Sequence, residues 1–294
     1  MIQGVHLQAP EAHGFEKPGD PGHSCRAKAK LPLRCLHTHH NQETGMTMCS
    51  RPFMAITGLL GAALLAACGG GSDSSEEARD SSDCFNTGFY RQDTQINVTQ
   101  SSRLNDAPAM ESRFLHWVTS QKEENGINTI YVSPDTGRAS IHYSIEGGAL
   151  LYHGYNAFNI GATSRQSLTP AQQSVIAMAP GQTTSQTIVQ TDSRSTADQE
   201  IKTVTTLAYT RTYEGREAIS TALGQFEACR FLTTIAASPE GNPDANSNAQ
   251  TTSWVASAGT YRGLTLKERT ITRQAGKTDT LVTEASRVNQ FDIR

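Results

Sequence analysis

Between residues 94 and 288, apolar and β-branched side chains return at every second position in one short run after another. Over 138–145, Ile141, Tyr143 and Ile145 share a side; over 200–213, Ile201, Leu207, Tyr209 and Tyr213 do; over 226–237, Cys229, Phe231 and Ile235 do. A period of two is that of a strand with one face buried, because successive side chains point to opposite faces. Similar runs cover 94–100 (with Ile96 and Val98 in phase), 113–120, 127–133, 149–155, 186–191, 251–256, 264–272 and 280–288. Turn formers separate several of them, as in Gln-Lys-Glu-Glu-Asn-Gly at 121–126 and Gly147-Gly148. Strands in such succession specify a mainly β body whose neighbours pair antiparallel, as a curved sheet, a sandwich or a barrel. One short helix is expected in it, over 170–178, with Thr169 as cap and Pro170 in the first turn, ending before Pro180-Gly181.

Upstream lies a segment of different character. Arg51 precedes an uncharged apolar run over 54–67, which narrows to small residues at Leu65-Ala66-Ala67-Cys68. A positive start, an apolar core and a small-residue end have the form of a secretory signal. The run is shorter than the roughly 20 residues a membrane-spanning helix needs. Its ending resembles the bacterial lipobox, Leu-Ala-(Ala or Gly)-Cys, at all four positions. The resemblance implies diacylglyceryl transfer to the Cys68 sulfur, cleavage between Ala67 and Cys68, and acylation of the new amino terminus. Two or more acyl chains hold a protein stably on a membrane. Gly69 comes directly after the cysteine. In enterobacterial lipoproteins an Asp there favours inner-membrane retention, so the resemblance implies the outer membrane, with the body facing the periplasm.

The chain divides into four segments. Residues 1–45 hold six of the nine His together with Cys25 and Cys35, but no strand or helix period. They are read as a disordered upstream extension, with the start of translation at Met46, Met48 or Met54. A metal site built from Cys25, Cys35, His37, His39 and His40 is disfavoured, because the spacing between the cysteines is wide for zinc. Residues 46–67 form the signal, and 68–83 the acylated cysteine and an acidic Gly/Ser tether. Residues 84–294 form the body, long enough for one sizeable core. Six of the 25 basic and four of the 28 acidic residues precede Cys68, so the chain from Cys68 onward carries −5. That charge, with scattered arginines, argues against a nucleic-acid partner.

In the C-terminal half, Gly215-Arg-Glu217-Ala-Ile219, then Gly224-Gln-Phe226-Glu-Ala-Cys229, then Trp254-Val255-Ala256 and Gly263-Leu264-Thr265-Leu266-Lys267 succeed one another. The order is similar to a pattern in uncharacterised bacterial envelope lipoproteins, with Ala222 in place of Pro and Ser257-Ala258 in place of Pro-Gly. It covers roughly residues 185–290. The resemblance implies a strongly curved antiparallel sheet or open barrel with a cavity on its concave face, and no established reaction. Locally the first part reads as two strands joined by a tight turn at Gly224, where positive φ is cheap.

No nucleophile elbow, His-Glu-x-x-His or phosphate loop is present, so no catalytic residue, metal ligand or cofactor is expected. His116, His142 and His153 sit among aromatics in strand-like stretches and are expected to be packed or solvated. Asp244, Asn246 and Asn248 begin like a calcium loop, but Ala249 and Val255 stand where its Gly and Glu belong. Cys84 and Cys229 remain once Cys68 is acylated. In an oxidising compartment they are expected to pair, the alternative being a core Cys229 and a free Cys84 thiol. The expected role is a non-catalytic binding or carrier module for an apolar ligand or an envelope protein. The alternatives are a structural or accessory envelope protein and, further off, a hydrolase.

Overall fold

A computed structural model describes residues 79–124, 126–134 and 137–294. The signal, Ala67, Cys68, most of the tether and the metal-site candidates at Cys25, Cys35, His37, His39 and His40 lie outside the described residues.

Twelve strands form the body: β1 (Gln95–Leu104), β2 (Met110–Glu124), β3 (Ile127–Ser133), β4 (Ala139–Glu146), β5 (Ala149–Asn159), β6 (Ala162–Val175), β7 (Thr183–Thr196), β8 (Glu200–Thr221), β9 (Gly224–Pro239), β10 (Ser247–Ala256), β11 (Thr265–Gln274) and β12 (Lys277–Asp292). Each pairs antiparallel with the next, and β12 pairs with β1, from Gln95↔Asp292 to Leu104↔Leu281. The result is an up-and-down barrel that closes, where the sequence suggested a curved sheet or an open barrel. Closure removes the unpaired edges that an open sheet must protect.

Alternation sets the two faces. On β8, Thr205, Leu207, Tyr209, Arg211 and Tyr213 are buried, whereas Lys202, Thr206, Ala208 and Glu214 are exposed. On β7, Thr183, Ser185, Thr187 and Thr191 share the phase opposite to buried Ile188. The exposed apolar Val189 lies in that same outward phase. Gly224 opens β9 at φ 126°, after the tight turn Ala222-Leu223, as the sequence suggests.

The expected helix over 170–178 is not formed. Residues 170–175 continue β6, pairing Tyr152↔Gln172, Leu150↔Ser174 and Ala149↔Val175, with Gln172 and Ser174 buried in alternation. Pairing with β5 satisfies this backbone more completely than one isolated helical turn could, so tertiary context overrides local propensity. Thr169 and Pro170, which resemble a helix start, instead mark where β6 parts from β7.

One end of the barrel is plugged by its own N-terminal segment. Two 3₁₀ turns, Ser81–Cys84 and Thr87–Tyr90, insert Phe85, Phe89 and Tyr90 among Ile96, Val98, Val118, Val132, Leu150, Leu264 and Leu266. Ser81 Oγ donates to the Ile176 carbonyl at 2.6 Å and accepts from Met178 N at 2.9 Å. Asn86 Nδ2 donates to the Arg262 carbonyl, and Gly263, at φ 89°, lies so close that a Cβ there would meet Asn86 Cβ at 2.8 Å. The C-terminus returns to the same end, where Arg294 N donates to Thr94 Oγ1 at 3.1 Å. A disulfide joins Cys84 to Cys229, with Cα atoms 6.1 Å apart, and so ties the plug to β9. Tyr213, Phe231, Val255 and Met178 pack around it.

Candidate functional site

The barrel wall has a gap between β6 and β7, beside the plug. The β6–β7 ladder runs from Ala162↔Thr196 to Thr169↔Val189 and stops there. Pro170 has no N–H to continue it. Beyond that point 172–175 pair only with β5, and 183–188 only with β8. A side chain spans the opening: Gln186 Nε2 donates to the Ala171 carbonyl at 2.7 Å, and Gln186 Oε1 accepts from Gln173 N at 3.0 Å.

Behind the gap lies a cavity of about 20 Å³, lined by Ser81, Cys84, Phe85, Leu150, Ser174, Val175, Ile176, Arg211 and Phe231. That volume admits roughly one water or one small polar group. Arg211 is only 4% exposed, and its guanidinium lies over the Phe231 ring, 4.1 Å from the centroid. Its Nε and the Ser174 Oγ are buried without a hydrogen-bond partner. Two residues away on the same face of β8, Tyr209 Oη is also buried and unpartnered. Buried polar atoms are nearly always satisfied, so Arg211 Nε and Ser174 Oγ have unused capacity for a water or another polar partner. Glu268, opposite Ser253 and Thr283 in the ladder, shares the inner face. Burial pushes its carboxyl up to about 7, against the pull of the Arg211 guanidinium.

Further toward the far end the inner face is polar. Tyr152 Oη donates to Gln166 Oε1 at 2.6 Å, Gln166 Nε2 donates to Asp192 Oδ1 at 3.1 Å, and Gln190 Nε2 donates to Asp192 Oδ2 at 2.6 Å. Beside this chain sits a small apolar cluster of Leu168, Ile188, Leu207 and Tyr209. The interior is therefore amphipathic.

His116 stands apart from the other two histidines of the body, whereas His142 on β4 and His153 on β5 are near enough for charge on one to disfavour charge on the other. His116, on β2, is buried against the plug, its Nε2–H donating to the Phe89 carbonyl at 2.6 Å, and burial lowers its pKa to about 4. His142 packs edge-on against Tyr131 at 4.8 Å. His153 Nε2 lies 2.9 Å from Ser144 Oγ. Burial lowers the pKa of both His142 and His153. The Ser144–His153 pair has the residue types of a nucleophile and base, but Ser144 is fully buried. Among the described residues no three His, Cys, Asp or Glu side chains gather as metal ligands. Asp244 lies in a 3₁₀ turn, Pro243–Ala245, and Asn248 is already in β10.

The parts of the C-terminal pattern meet across four strands. Trp254 on β10 donates its indole N–H to Glu217 on β8. Arg230 on β9 and Lys267 on β11 each lie 5.9 Å from the Trp254 ring centroid. Arg230 pairs with Glu214 at 2.7 Å. These contacts clamp neighbouring strands and form no cleft.

Sequence reading missed Arg211, although the signal was present: it sits in the phase of Leu207, Tyr209 and Tyr213, so alternation alone carries a guanidinium to the inner face. The gap was hidden because it depends on where two ladders part.

No family model matches the chain, and no curated protein matches it. Among solved structures it is similar to the hypothetical lipoprotein YmcC from Escherichia coli (K12), at 14% identity and a TM-score of 0.32, over 65% of this chain and 84% of that one. It is similar to a Parabacteroides distasonis protein described as a lipoprotein, at 10% identity and 0.35, over 68% and 98%. It is also similar to a Bacteroides fragilis protein described as exported with a YmcC-like fold, at 9% and 0.33, over 68% and 97%. At these identities and scores the likeness bears on neither ligand nor partner.

Proposed function

We propose that this chain is a lipid-anchored protein of the bacterial cell envelope, held by acyl groups on Cys68 in the outer membrane and facing the periplasm, and that its barrel is a non-catalytic binding or carrier module. The lipobox at 65–68 supports the address. The observation that carries the binding role is that two residues with buried, unpartnered polar atoms, Arg211 (Nε) and Ser174 (Oγ), line one cavity behind a gap in the wall.

Two experiments test this. With Cys68→Ala, incorporation of labelled palmitate is expected to vanish and the precursor to stay unprocessed; label retained without Cys68 overturns the anchor. Mass spectrometry of denatured extracts of the untagged protein is expected to find a stoichiometric small molecule. A clean extract overturns the binding role. An envelope protein co-purifying in place of a small molecule favours a structural or accessory role. That second reading is supported by the exposed apolar side chains of Leu104, Met110, Phe158, Ile160 and Ile201.

A further inference from the structure

We propose that the cavity behind the β6–β7 gap is an anion site, taking one monovalent anionic group no larger than a carboxylate, with Arg211 as the recognising residue. This rests on the binding reading above and names the chemistry of the ligand.

The argument begins with charge. Arg211 is 4% exposed, and a guanidinium stays charged wherever it is placed. Buried charges are normally paired. Among the described residues the ion pairs involve Arg216, Arg230, Lys202 and Lys267, and none involves Arg211. Glu268, whose field reaches it, makes no ion pair with it. The Phe231 face offsets part of the charge through its π electrons, but it accepts no hydrogen bond from the edge of the guanidinium plane. Nε is left bare on that edge.

Geometry then sets size and valence. Ser174 Oγ, also unpartnered, lines the same cavity and can donate, so the pocket offers two donors and a single positive charge. Phe85, Leu150, Val175, Ile176 and Phe231 supply an apolar remainder that cannot solvate a second negative charge. A volume of about 20 Å³ holds one water-sized or slightly larger group and excludes a phosphate ester in its hydration shell. Ser174 and Val175, which line the cavity, lie in the part of β6 that pairs with no β7 residue, the stretch bridged by the Gln186 side chain.

The full-length acylated protein in nonionic detergent is the material for the test. Thermal unfolding is followed while acetate, butyrate or bromide is titrated at ionic strength held constant with fluoride. Each anion is expected to raise the midpoint saturably. Arg211→Met is expected to abolish the shift, and Ser174→Val to weaken apparent affinity at least fivefold. If Arg211→Met does not fold, Arg211→Lys keeps the charge and loses the Nε donor, and is expected to weaken affinity at least tenfold. Butyrate binding more tightly than acetate identifies the carboxylate of a chain molecule; equal affinities identify a free small anion. No shift with any anion, as a resident water would give, overturns the proposal, and so does a shift equal in wild type and variants. A co-purifying small molecule without anion dependence overturns the anion site and leaves the binding module standing.

Discussion

His116 shows how one side chain can couple the plug to pH. Its imidazole lies among Phe89, Tyr90 and Phe114 and donates to the Phe89 carbonyl. Burial, the larger effect, lowers its pKa from 6.5 to about 4, against that hydrogen bond. A histidine held neutral contributes fully above the unfolded value of 6.5, and its contribution is lost as pH falls toward 4. The shift corresponds to about 3 kcal/mol. His142 and His153, also lowered, act with the same sign. Glu268, raised from 4.5 to about 7, acts oppositely: its burial costs stability as pH rises through that window. The wild-type profile is therefore a difference of opposing slopes. Urea midpoints measured from about pH 7.5 to about pH 4 for wild type and His116→Phe isolate the histidine. The variant is expected to gain relative stability steadily below pH 6.5; parallel profiles would contradict the assignment. Gly154 makes a steric demand of another kind. At φ 129°, a Cβ there would lie 2.1 Å from the Gln166 carbonyl oxygen, so Gly154→Ala is expected to destabilise by several times the ~1 kcal/mol of an ordinary point substitution, read as a lower urea midpoint.

Among elements, β6 is where local and long-range forces disagree. The stretch after Thr169 has a cap-like residue, a proline and helix-tolerant side chains, yet alternating burial at Gln172 and Ser174 places it in the wall. The other strands were legible because their periods are carried by β-branched and aromatic residues, as at Ile96, Val98 and Ile141–Tyr143–Ile145. In β6 the alternating positions are Gln and Ser, which carry no hydrophobic signal, so only pairing with β5 reveals them. Pro170 also explains why Gln186 matters. Replacing Gln186 with Leu removes the partner of the exposed Gln173 N–H and of the half-buried Ala171 carbonyl, which water can reach, so the expected cost is about 1 kcal/mol. Hydrogen exchange is expected to quicken across 171–188 while β1 and β12 stay protected. Uniform loss of protection would show that the gap is not an independent element.

For the whole molecule, barrel closure was beyond reach of the sequence, since the β1–β12 seam joins opposite ends of the body and no local pattern announces it. The bond between Cys84 and Cys229 was within reach, because only those two cysteines come after Cys68. It closes a loop of 145 residues, for which chain entropy gives at most ~5 kcal/mol. Cys229 is fully buried and Cys84 nearly so, so reductant should reach the bond only after opening of the plug. Chemical unfolding with and without reductant is expected to show a lower midpoint when reduced; coincident curves would assign the bond no stabilising part.

The same bond changes what a protease can achieve. The hairpin tip between β5 and β6 carries Ile160, which is wholly exposed, beside Gly161 at φ 76°. A cut there falls inside the loop that the disulfide closes. The two fragments remain one covalent molecule, with Cys84 on the first holding Cys229 on the second. If the acyl chains sit on Cys68, a nicked barrel stays moored to the bilayer through sulfur, and its C-terminal half is shed only under reducing conditions. In an oxidising compartment, surface cleavage would leave both halves in place. Gels run with and without reductant after limited proteolysis of intact membranes make that retention visible.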